Sequence, residues 1–138
     1  MTPYVIDASV AVKWFVPEVH AAAAGRFLAP DNDLYAPDLL PSEFGNILWK
    51  KVRRDELTKH EAERIIAELE NAPLPFILSL DLLAEAFKVA IDTERTVYDS
   101  MYLALAVRMG CQMVTADRKL YNSLQGTSYA PSLLWIED

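Results

Sequence analysis

The sequence is poor in cysteine and in positive charge, and it has no long apolar run. Its single cysteine, Cys111, rules out an internal disulfide and is typical of a protein in a reducing cytoplasm. No apolar stretch approaches the roughly 20 residues that span a bilayer. The N-terminus also lacks the basic and then apolar pattern of a secretory signal. We therefore expect a cytoplasmic protein without a membrane partner.

Positive charge is scarce because 13 basic residues stand against 20 acidic residues, for a formal net charge of −7. This balance argues against a simple basic nucleic-acid-binding protein. It leaves open an enzyme that concentrates its acidic residues in a metal site. The chain also lacks low-complexity tails, internal repeats and linker-like stretches. Its 138 residues are therefore predicted to form one domain, residues 1–138, around one core.

Short apolar runs alternate with amphipathic segments along the whole chain. The runs YVID, DLYAP, PFILSL, QMVTA and SLLWI are predicted to be strands. Helical spacing of apolar residues marks the segments between them, such as ASVAVKWF, HAAAAGRFLA, DLLPSEFGNILWKKVRR and LLAEAFKVAID. Thr58 to Glu61 has the form of a capping box, and Thr96 is expected to cap VYDSMYLALAVRM. This alternation predicts an α/β domain with a mainly parallel central sheet of four to five strands flanked by helices.

Two acidic residues follow predicted strands. Asp7 ends the first strand, and Asp117 comes directly after QMVTA. Ligands of open parallel sheets bind beyond the carboxyl ends of the strands, so both carboxylates are expected at one crevice. A lone buried carboxylate takes up a proton or finds a cationic partner, which raises the question of the partner of Asp7. Ser9 and Thr115 each stand two residues from one of these acids, where their hydroxyls would orient a carboxylate or bind water.

Two predicted helices add further polar candidates. Glu43 and Asn46 are three residues apart and share a helix face, and Asp99 lies in the first turn after Thr96. Each candidate also has a plain structural explanation, as a helix cap, a first-turn acid or a solvated helix residue. Acids at two strand ends and two helix starts are nevertheless much rarer by chance than any one of them alone.

Four fragments in this order, VIDAS, PSEFGNIL, TVYDSMYLALA and VTADRKL, resemble the PIN-domain nucleases. The sequence is most similar to the VapC-type ribonuclease toxins of prokaryotic toxin–antitoxin pairs, and the resemblance covers nearly the whole chain. Only the stretch from residue 16 to residue 33 has no motif of its own. The resemblance implies a single PIN-like nuclease domain with an acidic quartet of Asp7, Glu43, Asp99 and Asp117. It also implies accessory polar positions at Asn46 and Thr115.

Carboxylates that share a crevice repel one another and raise each other's pKa values, and a divalent cation removes this penalty. Oxygen ligands suit Mg²⁺ or Mn²⁺. The expected partner of Asp7 is therefore an Mg²⁺ or Mn²⁺ ion that it shares with Asp99 and Asp117, and Glu43 would hold a second ion or orient water. An ion of this kind acidifies water and offsets charge on a phosphodiester, which predicts metal-dependent phosphodiester hydrolysis. The resemblance implies that the phosphodiester belongs to RNA. No histidine or cysteine cluster indicates zinc, because His20 and His60 are isolated in the sequence.

An acidic crevice repels RNA unless cations at its rim compensate. Candidates for such a rim are Lys50, Lys51, Arg53 and Arg54 in KKVRR, Arg118 and Lys119 in DRK, and Arg95. The alternative for KKVRR is a solvated helix end that the helix dipole favours. Single-stranded or loop RNA suits a crevice better than a duplex does, and the resemblance implies the same substrate.

The resemblance further implies a homodimer and a small VapB-like antitoxin partner. The helices near Glu43 and Thr58 also carry more apolar residues than a small core obviously needs, which indicates an interface there. These residues are Phe44, Trp49, Leu57, Ile65, Ile66 and Leu69. Core packing is the alternative explanation for each of them.

Three other functions are compatible with parts of the pattern. A haloacid-dehalogenase-type phosphotransferase also has an acid after its first strand, but it needs a second Asp where this chain has Ser9. A binding module that lost its chemistry would not need all four acids. A PIN nuclease of RNA processing without an antitoxin would keep the same residues.

Overall fold

A five-stranded sheet in which every neighbouring pair is parallel forms the centre of the molecule. The computed structural model describes all residues, 1–138. The strands are β1 (Thr2–Ile6), β2 (Asn32–Pro37), β3 (Phe76–Ile77), β4 (Gln112–Thr115) and β5 (Leu133–Trp135). They lie in the order β3-β2-β1-β4-β5. The predicted α/β class and the predicted parallel sheet are confirmed, and β1 lies at the centre of the sheet.

Seven helices flank the sheet and connect its strands. They are α1 (Ala8–Ala11), α2 (Ala21–Arg26), α3 (Leu40–Arg53), α4 (Lys59–Leu69), α5 (Ser79–Thr93), α6 (Val97–Met109) and α7 (Arg118–Leu124). Helix α6 is the most deeply placed of them, because every residue from Ser100 to Ala106 is buried. It packs against α5 and against β1, β2 and β4. A helix whose middle turns are buried on every side, as these are, belongs inside a fold.

Local capping signals explain where two helices begin. Thr58 and Glu61 form the predicted capping box, with reciprocal side-chain to backbone bonds of 3.1 and 2.9 Å. The Thr96 hydroxyl accepts a hydrogen bond from the Asp99 backbone N–H and so caps α6. Gly110 ends the same helix with a positive φ of 65°, which glycine adopts without steric cost. These caps fix the start of α6, which carries Asp99.

Three predicted elements are shorter than the sequence indicated. ASVAVKWF forms only one α-helical turn, α1, and continues as a 3₁₀-helix over Val12–Trp14. Pro17 restricts the residue before it and excludes a longer helix, so the last turn tightens. PFILSL is a strand only at Phe76–Ile77, because Asp38 accepts a bond from the Ser79 backbone N–H and starts α5 there. HAAAAGRFLA is α-helical only over Ala21–Arg26.

One continuous cluster of buried apolar side chains forms the core. Phe44 and Ile65 belong to it, and Leu57 and Leu69 pack against it in partly buried positions. Phe44 and Ile65 are therefore core residues, as the alternative explanation held, while an interface that includes the partly buried Leu57 and Leu69 stays a prediction. Only Trp49 and Ile66 of that set are exposed.

None of the seven helices combines the length and the apolar character that crossing a membrane requires.

Candidate active site

The four acids selected from the sequence line one pocket at the carboxyl ends of β1 and β4. Asp7 follows β1 and Asp117 follows β4, while Glu43 and Asp99 lie in the first turns of α3 and α6. The pocket has a volume of about 430 Å³. Four segments that are distant in the sequence therefore bring their carboxylates to one place. The pocket lining also includes Ser9, Asn46 and Lys50.

Asp7 is held through one carboxylate oxygen by two hydroxyl groups. Ser9 Oγ and Thr115 Oγ1 each donate to Asp7 Oδ2 at 2.9 Å. Each hydroxyl also accepts a backbone N–H, Ser9 from Ala116 at 3.1 Å and Thr115 from Asp117 at 3.0 Å. Because these N–H groups occupy lone pairs of the hydroxyl oxygens, the hydroxyl hydrogens point to Asp7. This network ties the start of α1 to the end of β4.

The other three carboxylates follow the same pattern. Glu43 Oε1 accepts from the Tyr102 hydroxyl at 2.6 Å, and Asp117 Oδ1 accepts from the Leu120 backbone N–H at 3.1 Å. Arg95 Nη2 donates to Asp99 Oδ2 at 3.1 Å. In each case the second oxygen has no protein donor. The pocket therefore contains four carboxylates that are each fixed at one oxygen and open at the other.

The capping explanations hold for some of these acids and fail for others. Asp117 does cap α7 through its bond to Leu120, and it lines the pocket as well. Asp7 occupies the N-cap position of α1 but makes no capping bond with its side chain. Asp99 completes only half of a capping box with Thr96, because its carboxylate bonds to Arg95 instead. Asn46 is an exposed helix residue at the pocket.

Burial and mutual repulsion disfavour the charged forms of two acids. Burial raises the pKa of Asp7 from 3.8 to about 7; the hydrogen bonds from Ser9 and Thr115 oppose this rise, and the charges of Glu43 and Asp99 add to it. Burial, together with the charge of Asp99, also raises the pKa of Glu43. The pKa of Tyr102 is raised by burial and by its acidic neighbours, so its hydroxyl stays protonated and donates to Glu43. The pocket thus favours a bound positive charge.

The donor chemistry of the pocket fits a hard divalent cation, although the side chains do not close around one point. No group of three His, Cys, Asp or Glu side chains in the chain stands close enough to hold a metal ion as arranged. The acids line one pocket, but convergence of Asp7, Asp99 and Asp117 on one ion is not seen. Their open oxygens are the ligand type that Mg²⁺ and Mn²⁺ accept, and Mg²⁺ keeps several of its waters. Their role as metal ligands stays a prediction.

Four of the seven predicted rim residues contact other side chains of the chain. Lys51 pairs with Glu18 at 2.6 Å, and Arg95 pairs with Asp99. Arg53 lies over the ring of Trp49, and Arg118 lies 3.7 Å from the ring centroid of Trp135. Arg54 and Lys119 are exposed away from the pocket lining. Of the predicted rim, only Lys50 lines the pocket together with the acids. Arg95 reaches the acids through its ion pair with Asp99.

Two tyrosines of the site were not selected from the sequence. Tyr102 is buried and orients Glu43 across 59 positions of sequence. Its signal was its position three residues after Asp99, which places both on one helix face. Tyr98 precedes Asp99 and is exposed at the pocket.

Comparison with known proteins identifies the family. A model described as the PIN domain matches residues 4–123. The chain belongs to the PIN-domain family. Ribonuclease VapC3 of Pyrobaculum aerophilum is 36% identical over 118 residues, which cover 84% of this chain and 90% of that protein. The resemblance that the four sequence fragments indicated is therefore confirmed.

Solved structures agree with this assignment. The crystal structure of PAE2754 from Pyrobaculum aerophilum superposes with a TM-score of 0.69 at 25% identity, covering 99% of this chain and 85% of that one. A toxin–antitoxin complex from Klebsiella pneumoniae contains a chain that superposes with a TM-score of 0.64 at 15% identity, with 95% of both chains covered. The fold of this PIN-domain protein is therefore shared with both structures.

Replacing Asp7 by Asn should stabilise the metal-free protein, and increasingly so as the pH rises. The unfolded Asp7 ionises near 3.8, but the folded one ionises near 7. Between these values the folded state binds the extra proton, so wild-type stability falls as the pH rises through this window. We expect an Asp7→Asn advantage on the order of 2–4 kcal/mol at about pH 8 and much less at about pH 5. Urea unfolding in EDTA measures it.

Asp55→Asn is the matched control, because Asp55 is exposed and its positive φ of 58° suits Asn. It should show no comparable pH-dependent gain. An Asp7→Asn advantage that is the same at both pH values would mean that Asp7 ionises normally in the folded protein.

Proposed function

We propose that this PIN-domain protein is a divalent-metal-dependent endoribonuclease and the toxin of a VapBC-type toxin–antitoxin pair. The observation that carries the proposal is the pocket in which four carboxylates are each anchored at one oxygen and open at the other. Its relative from Pyrobaculum aerophilum is named a ribonuclease and a VapC protein, which supports RNA as substrate and a VapB-like partner. The cytoplasm is the compartment that we propose for this activity.

The proposed metal ligands are the open oxygens of Asp7, Asp99 and Asp117, with Glu43 at the edge of the pocket. When bound, one or two Mg²⁺ or Mn²⁺ ions supply activation of water and compensation of negative charge on the phosphodiester. The chain itself keeps the ligands in place. Ser9 and Thr115 hold Asp7, and the Tyr102 hydroxyl holds Glu43. Thr115 and Tyr102 are buried, so these bonds fix one oxygen of each carboxylate, while metal binding has to draw the open oxygens closer together.

The neighbouring polar residues have a role in holding RNA. Lys50 lines the pocket and attracts a phosphate toward carboxylates that would otherwise repel it. The Asn46 side-chain amide lines the same pocket and can donate to a phosphate or sugar oxygen. An open pocket of this size accepts a single strand or a loop better than a duplex.

RNA hydrolysis should require Mg²⁺ or Mn²⁺ and stop with EDTA. Asp7→Asn should lower the rate by about a hundredfold or more, because it removes a charged ligand while the fold stays intact. Cleavage of a circular RNA, which has no ends, would identify the activity as endonucleolytic. Gel analysis of the products measures both effects.

The same Asp55→Asn variant serves as the control here and should cleave at the wild-type rate. Wild-type activity of Asp7→Asn would show that Asp7 is not a ligand. An inert binding module would show no cleavage under any condition, and weak or no Mn²⁺ binding by calorimetry. A PIN nuclease of RNA processing would cleave without any inhibitory partner.

We propose that the antitoxin inhibits by placing an Arg or Lys side chain among the open carboxylate oxygens. A guanidinium binds carboxylate oxygens in pairs and would compete with metal and RNA. An apolar segment of the partner would supply most of the affinity by covering exposed apolar surface on α3. The sequence predicts that this segment covers the helices with Trp14, Phe44 and Trp49. Of these side chains only Trp49 is exposed, because Phe44 is buried and Trp14 is partly buried.

Changing that basic residue of the partner to Ala should restore RNA cleavage while the complex still forms. The two effects separate because the apolar contacts remain and only the cation is lost. Size-exclusion chromatography of the complex, followed by a cleavage assay on the same fraction, measures both. Full inhibition by the altered partner would mean that it blocks the RNA path sterically.

A homodimer is also part of the proposal, and α5 is the surface that favours it. Leu80, Leu83, Phe87 and Ile91 are between 45 and 79% exposed and follow each other at helical spacing. Two copies of such a stripe bury each other when the helices pack antiparallel about a two-fold axis. We therefore propose α5 as the dimer interface, in place of the α3–α4 surface that the sequence indicated.

Charges beside the stripe are complementary in this arrangement. Asp81 and Lys88 are two helical turns apart on one flank of α5, and neither has an ion-pair partner within the chain. About a two-fold axis the same flanks meet, so Asp81 of each copy would face Lys88 of the other. This pairing favours a second copy over an unrelated apolar partner.

Phe87→Asp should convert the dimer into a monomer, because it buries an unpaired charge in the interface. Light scattering at micromolar protein concentration measures the mass. Trp49→Asp on α3 is the comparison variant and should remain dimeric. A wild-type monomer would contradict the dimer, and dissociation by Trp49→Asp alone would place the interface on α3.

A further inference from the structure

Tyr98 is an exposed aromatic side chain at the edge of the acidic pocket. Its side chain is 64% exposed, and it is the only exposed large apolar or aromatic residue that lines this pocket. Its hydroxyl makes no hydrogen bond within the chain, and its ring stacks on no other ring. The fold therefore does not use this ring for its own core or for a structural hydrogen bond.

The position of Tyr98 relative to the acids is fixed by the backbone. Thr96 caps α6 by accepting from the Asp99 backbone N–H, and Val97 packs against the core. Tyr98 follows Val97 and directly precedes Asp99. Both Tyr98 and Asp99 line the pocket, so the ring and a proposed metal ligand share one site.

Leu39 and helix α3 supply further parts of the pocket lining. Leu39 and Ile47 supply apolar surface there, and Lys50 supplies a positive charge. A cation, open carboxylates and an aromatic ring lie around about 430 Å³ of space. A free phosphate would use Lys50 and a metal ion held by the carboxylates, but not the ring. A nucleotide unit of a single strand would use all three, because its phosphate and its base lie on neighbouring sites.

We propose that Tyr98 is the stacking platform for an unpaired nucleobase next to the cleaved phosphodiester. This inference rests on the proposed ribonuclease function and extends it to a base subsite. Every base has a π face, so the platform selects unpaired bases and tolerates their identity. A base inside a duplex cannot reach the ring without leaving its partner, so the subsite rejects duplex RNA.

The test begins with a short single-stranded RNA that spans one mapped cleavage site. Tyr98→Ala should raise KM on this RNA about tenfold and change kcat less, because stacking is lost while the acids remain. Tyr98→Phe should stay within about twofold of wild type, since it keeps the ring and loses only the hydroxyl. Phe76→Ala removes an exposed aromatic ring on β3, away from the pocket, and should leave both constants unchanged.

A set of RNAs with one abasic position each then locates the base. For the wild type, one abasic position beside the cleaved bond should raise KM about as much as Tyr98→Ala does. For Tyr98→Ala, the same abasic RNA should be no worse than intact RNA, because the contact is already absent. Such non-additivity distinguishes a direct contact from two independent losses.

Three results would overturn the proposal. The first is a wild-type KM for Tyr98→Ala. The second is a rise in KM for Tyr98→Phe as large as that for Tyr98→Ala, which would assign the effect to the hydroxyl. The third is a rise in KM from Tyr98→Ala that multiplies with the rise from every abasic position. Wild-type protein that cleaves no RNA with Mg²⁺ or Mn²⁺ would instead remove the ribonuclease function, and the base subsite with it. If the wild type cleaves RNA and Tyr98→Ala has the same KM as the wild type, only the base subsite is wrong and the ribonuclease function stands.

Discussion

The hydrogen bonds from Ser9 and Thr115 to one oxygen of Asp7 are the constraint on which the site depends. Asp7 stands at the end of the central strand, where burial disfavours its charge. The two hydroxyls compensate for part of this penalty and direct the other oxygen into the pocket. The Ser9 hydroxyl oxygen also accepts from the Ala116 backbone N–H, and the Thr115 hydroxyl oxygen accepts from the Asp117 backbone N–H. The network therefore joins β4 to α1. One network therefore holds the carboxylate and aligns the two segments that carry Asp7 and Asp117.

The remaining acids show the same design with different donors. A phenol holds Glu43, a guanidinium holds Asp99 and a backbone N–H holds Asp117. A carboxylate that is anchored at one oxygen loses little rotational freedom when a ligand takes the other, so less binding free energy is spent on ordering. The absence of a closed cluster is consistent with this arrangement, because carboxylates that repel each other stay apart while their anchors keep them in one pocket.

The two positively charged residues at the pocket, Arg95 and Lys50, have different roles. Arg95 is partly buried and forms an ion pair with Asp99, so its role is to hold that carboxylate in place. Lys50 is exposed, lines the pocket and has no ion-pair partner within the chain, so it remains available to a phosphate. Most other basic residues of the predicted rim lie on aromatic rings or on other acids. The overall charge of −7 is therefore compatible with an RNA substrate, because few cations need to act locally.

The sequence by itself determined the α/β class, the five strands, the main helices and the four acids that line the pocket. These features follow from local signals, which are the apolar periodicity, the caps at Thr58 and Thr96, and the acids placed after strands. Such signals depend on neighbouring residues and not on how distant segments pack. Only the tertiary structure decided which oxygen of each acid is held, that Tyr102 reaches Glu43, and that Arg118 lies on Trp135 instead of the rim. It also decided that Phe44 and Ile65 are core while Leu80 and Phe87 are exposed. These outcomes depend on contacts between segments far apart in the chain, and helical spacing alone does not say which apolar stripe meets the sheet and which meets solvent.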